Sequence, residues 1–110
     1  MDLDYAEKIL FQAVLALVGE GILRSRLRAA AEYLRRLKAE DFPDDGLRAR
    51  FSELGRKLTE KGSIQESVLA MSELEASQVA EEIVSIYADL ANRDPLNLYH
   101  STPAKEPGFH

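Results

Sequence analysis

The chain has 110 residues, 45% hydrophobic and 30% charged, with a formal net charge of −5 and no cysteine. That length predicts one domain with one core, and the composition is that of an ordinary soluble globular protein. The missing cysteines exclude a disulfide framework, a thiolate nucleophile and a zinc–thiolate site, and they fit a reducing, cytoplasmic setting.

The chain opens on MDLDYAEKILFQAVLALVGEG, where Asp2, Asp4 and Glu7 outnumber Lys8. A secretory signal begins with basic residues, and a membrane-spanning helix takes about 20 apolar residues. The apolar run here ends within ten residues and is interrupted by Gln12. We therefore expect a soluble chain without a membrane segment. A first helix is predicted over 4–18, stopped by Gly19 and Gly21. Ile9, Leu10, Phe11, Val14, Leu15, Leu17 and Val18 do not fit one stripe at a helical period. A helix apolar nearly all round is normally buried on most sides, so this one is expected at the centre of the fold.

A second helix is predicted over 22–38, with Leu23, Leu27, Ala30, Ala31, Leu34 and Leu37 forming its core face. The stretch AEDFPDDG breaks it, because Pro43 disfavours helix at the preceding residue. Asp44 or Asp45 is placed to cap a third helix, over 45–61, by accepting a backbone N–H. Leu47, Phe51, Leu54 and Leu58 make its stripe, and Gly62 ends it. Ser63 to Glu66 has the Ser-x-x-Glu form of a capping box and opens a short fourth helix with Ile64, Val68 and Met71 inward. Ser72 to Glu75 repeats that form and opens a fifth helix, to about residue 92, with Ala76, Val79, Ala80, Ile83, Tyr87 and Leu90 as its core stripe. After NRDP the helical period ends, and three of the four prolines fall in 94–110. The expected architecture is all-α: a small four- to five-helix bundle over 1–93 and a non-helical C-terminal tail over 94–110. That tail is either loose or lays Leu96, Leu98 and Tyr99 into a groove.

The signatures of enzymes are mostly missing. Both histidines, His100 and His110, lie in the tail, which excludes a helical Glu-x-x-His or His-Glu-x-x-His metal site. GEGILR carries two glycines of a G-x-G-x-x-G loop but has Arg24 in the third place, and no strand precedes it. Glu81 and Glu82 are adjacent on a helix and point about 100° apart, which does not suit a shared proton. No catalytic, cofactor-binding or metal-ligating residue is assigned.

Charge is polarised along the chain: −3 over 1–23, +4 over 24–61, −5 over 62–93 and −1 over 94–110. On the second helix Arg24, Arg28 and Arg35 form a stripe flanking the core face, and on the fifth Glu75, Glu82 and Asp89 form an acidic one. The simplest arrangement packs the two stripes together, within one bundle or across a dimer. The functional reading is a non-enzymatic protein-interaction module, with homodimerisation as one form. Its candidate contacts are Arg24, Arg28, Arg35, Glu75, Glu82, Asp89, Leu96, Leu98 and Tyr99. A first alternative is a nucleic-acid-associated protein using residues 24–57, against which stands a sequence pI near 5.0. A second is a small enzyme with an interhelical pocket using Tyr33, Tyr87 or Glu32.

Overall fold

The computed structural model describes residues 3–93, and the expectations for the tail, Leu96, Leu98 and Tyr99 included, lie outside them. Among the described residues there are five α-helices and no strand: α1 (Leu3–Leu17), α2 (Leu23–Leu34), α3 (Asp45–Leu58), α4 (Ile64–Ala70) and α5 (Glu73–Arg93). A single 3-10 turn, Ala39–Asp41, lies between α2 and α3. The all-α bundle expected from periodicity is therefore the observed fold.

The helix starts follow the local chemistry. Asp44 caps α3, its carboxylate accepting the Leu47 N–H at 2.8 Å. Ser63 caps α4 by accepting from the Glu66 N–H at 3.1 Å. At α5 the box is reciprocal: the Glu75 N–H donates to Ser72 Oγ at 3.0 Å, and the Ser72 N–H donates to Glu75 Oε1 at 3.2 Å. Gly62 has φ +101°, a left-handed conformation that a residue with a Cβ adopts only under strain, so it sets the turn into α4.

Two helix ends come earlier than the pattern predicts. Below α2 the N–H groups of Arg36 and Leu37 bond to the carbonyls of Tyr33 and Leu34 in the tighter i→i+3 manner. That turn swings Leu37 into the core, 6% exposed, although it is no longer helical. At α3 the chain leaves the helix at Thr59, whose hydroxyl donates to the Gly55 carbonyl at 2.8 Å.

One apolar cluster joins every helix. It takes Leu27, Ala30, Ala31 and Leu34 from α2, and Leu47, Phe51, Leu54 and Leu58 from α3. Ile64, Val68 and Met71 close it from below. Phe42 fills the α2–α3 connection, its ring 4.8 Å from that of Phe51. Buried Asp41 accepts the Lys38 N–H at 2.8 Å and steadies the same connection.

The expectation that the first helix is central is corrected. Its main contacts are with α2 and α5, whereas α2 packs against α1, α4 and α5, and α5 packs against α1, α2 and α3. Ile86 and Ala91 are consequently buried as well as the predicted Ala76, Val79, Ile83 and Leu90, because three neighbours bury a wide arc of α5. Ala80 and Tyr87 are only half-buried. On α1 the buried stripe is Ala6, Ile9, Leu10, Ala13 and Leu17, and its small alanines let neighbouring helices approach closely. Val14 and Ala16 pack partly against the core, and Phe11 and Leu15 face outward.

Candidate functional site

The two charged stripes do not meet. Arg50 of α3, which belongs to neither, takes the acidic stripe of α5. Its Nε donates to Glu82 at 3.0 Å, Nη1 bonds to Asp89, and Nη2 donates to Ser85 Oγ at 2.7 Å. The hydrogen bond to Glu82, then that to Asp89, pushes the Arg50 pKa further above its ordinary value. Glu75, the third acidic-stripe residue, is engaged in capping α5.

The arginine stripe divides in the same way. Arg24 reaches Glu73 at 2.7 Å and also donates to the Met71 carbonyl, tying the start of α2 to the α4–α5 junction. Arg35 pairs with Glu32 on its own helix at 3.0 Å. Arg28 has no ion pair among the described residues. The packing of the two stripes against each other within one bundle is thus corrected. Projection orders residues around one helix but does not say which neighbour stands beside it.

Other cations have structural partners that the sequence reading missed. Arg26 donates to the carbonyls of Leu17 at 2.6 Å and Gly21 at 2.9 Å, closing the C-terminal end of α1. Arg93 reaches back to Asp44 at 3.0 Å, so one carboxylate both caps α3 and anchors the end of α5. Arg48 donates to the Phe42 carbonyl at 2.9 Å. Arg56 holds Glu53, and that hydrogen bond keeps the Glu53 carboxyl below its ordinary pKa. A cation one turn beyond a glycine stop was the available signal for Arg26. None existed for Arg93, whose partner lies 49 residues away in sequence.

Several large apolar side chains are exposed, Ile22, Leu69 and Leu74 among them, and one set is spaced as a helical stripe on α1. Phe11, Leu15 and Val18 follow one another at i, i+4 and i+7, and they are 44%, 46% and 71% exposed. The Phe11 ring lies 5.8 Å from that of Tyr87, which brings α5 alongside. Val84, 43% exposed, and Ala88 continue the face on that helix. Large side chains spaced this way normally mark a buried stripe. Here α1 carries such a stripe on its inner side and another on its outer side.

A cleft of about 650 Å³ opens at the Phe11 end of this face. Glu7, Phe11, Tyr33, Arg36 and Tyr87 are among its walls. Arg36 stacks over Tyr33, its Cζ 5.5 Å from the ring centroid. Burial, and secondarily the Glu7 carboxylate, push the Tyr87 phenol above its ordinary pKa. Tyr33 and Tyr87 are thus brought together as pocket walls, while Glu32 is held by Arg35 and does not line this cleft. Among the described residues no group of three or more histidines, aspartates or glutamates is gathered as for a metal ion. No described helix is long and apolar enough to cross a membrane.

Comparison with protein-family models, with curated proteins and with solved structures finds no match to this chain.

Proposed function

We propose that this chain is a non-enzymatic protein-interaction module that works through the outer face of α1 and α5. The observation carrying this reading is the exposed Phe11–Leu15–Val18 stripe at helical spacing on α1, with exposed Val84 on the adjoining α5. Contiguous apolar surface of this kind costs solubility unless something covers it. The arginine-rich helix contributes little to the reading, because its cations mostly serve the fold.

The nucleic-acid alternative has weaker support for the same reason. Arg24, Arg26, Arg35, Arg48, Arg50 and Arg56 each hold a carboxylate or carbonyl of this chain. A phosphate backbone would have to compete with those bonds. The enzyme alternative rests on the cleft with Tyr33 and Tyr87. The Tyr87 phenol moves away from neutrality, the wrong direction for general acid–base work near pH 7.

The test is affinity capture from the native cell with the full chain, Leu15→Glu and Arg28→Glu, each with and without nuclease. The expected result is a protein retained by the wild type and by Arg28→Glu, lost with Leu15→Glu, and indifferent to nuclease. Capture that disappears with nuclease or with Arg28→Glu favours the nucleic-acid reading. Equal capture by all three chains removes the proposed face from consideration.

A further inference from the structure

Granting the interaction reading, the charge around the face specifies its partner. We infer that the α1–α5 face docks a basic amphipathic helix of another protein, whose apolar side covers Phe11, Leu15 and Val18 and whose cations meet Glu20 and Glu81. Glu20 follows Val18 at one end of the stripe, and Glu81 stands one turn before Val84 on α5. Both are exposed, and neither has an ion pair among the described residues.

The cations on these two helices are already engaged. Lys8, the only one on α1, is 3.2 Å from Asp4, and Arg93, the only one on α5, is 3.0 Å from Asp44. Arg26, at the Val18 end, is bonded to the Leu17 and Gly21 carbonyls. Glu20 and Glu81 are therefore left as charged groups with no ion pair among the described residues, in keeping with segments 1–23 and 62–93 at −3 and −5. At the cleft end Arg36 is the remaining cation, placed over Tyr33.

Three occupants are distinguished by this arrangement. A second copy of this face offers Glu20 and Glu81 only Arg36, which is stacked over Tyr33, a poorer charge match than a helix bearing several cations. An acidic helix is repelled by both carboxylates. A basic amphipathic helix matches both features. Its i, i+3 or i+4, i+7 anchors fit a stripe about two turns long, and its flanking Lys or Arg residues find Glu20 and Glu81. A face about two turns long implies a small contact and a transient complex.

The experiment measures fluorescence anisotropy of three labelled synthetic helices against the full chain. The helices share length and leucine spacing and carry Lys, Gln or Glu on the polar side. The Leu/Lys helix should bind about tenfold more tightly than Leu/Gln at low salt, and added salt should close that gap. The Leu/Glu helix should not bind. Leu15→Glu should abolish binding of Leu/Lys and Leu/Gln alike. Glu81→Lys should weaken Leu/Lys about threefold or more and leave Leu/Gln unchanged. Equal binding of all three helices overturns the basic partner but leaves the interaction reading standing. So does a chain that binds none of them and self-associates through Leu15 in sedimentation. A chain that binds none and stays monomeric at high concentration overturns both.

Discussion

Arg50 and Arg28 sit in the same basic segment and do opposite things. Arg50 satisfies two carboxylates and a hydroxyl of α5, and its side chain is 33% exposed. Arg50→Ala should lower unfolding free energy by about 1 kcal/mol in urea denaturation. Part of that loss should return with added salt, because Glu82 and Asp89 are then screened from each other. Arg28→Ala should stay within about 0.5 kcal/mol of wild type. Tyr87 supplies a pH test. Its folded pKa is raised by burial and by Glu7, so above pH about 10 the unfolded chain loses this proton while the folded chain keeps it. The stabilisation is complete below that pH and is lost as pH rises through the folded value. Spectrophotometric titration should show a late phenol among the four tyrosines, and Tyr87→Phe should remove it. That Tyr87 touches Phe11 was not readable from spacing. Helical period places Tyr87 on the inner side of α5 but does not identify the ring beside it.

At the scale of elements, starts were more legible than ends. Asp44, Ser63 and Ser72 each sit where a side-chain oxygen is needed, and each accepts the N–H three residues on. This is local chemistry, settled within four residues. Ser72→Ala should cost about 1 kcal/mol in denaturant unfolding, since it removes half of a reciprocal box. The end of α2 depended on something distant. Leu37 leaves the helical path through an i→i+3 turn and joins the core, 6% exposed. Phe42→Ala should cost about 3–5 kcal/mol, the range for emptying a buried aromatic site, with the loss read as a lower urea midpoint. The first helix was the largest misreading at this scale. Its apolar residues cover more than one face, and burial was the expected consequence. In the fold its main contacts are with α2 and α5, and Leu15 stays 46% exposed.

For the whole molecule, the polarised charge map resolves into two surfaces with different uses. The basic middle of the chain is drawn inward, its arginines holding α2, α3 and α5 together through Glu73, Glu82 and Asp89. The acidic segments leave Glu20 and Glu81 around the outer face of α1 and α5. Leu15→Glu separates folding from binding. It should keep stability within about 0.5 kcal/mol of wild type while removing the partner in affinity capture. The amino-acid sequence by itself determined the all-α class, the helix starts and most of the core stripes. Those follow from hydrophobic period and capping, which act over one or two turns. Only the tertiary structure decided that Arg50, not Arg28, meets the acidic stripe, and that α2 and α5, not α1, each take three helical neighbours. Both depend on which helices become neighbours, which is set by how the inner stripes pack in space. A residue's angle about its own helix carries no information about that.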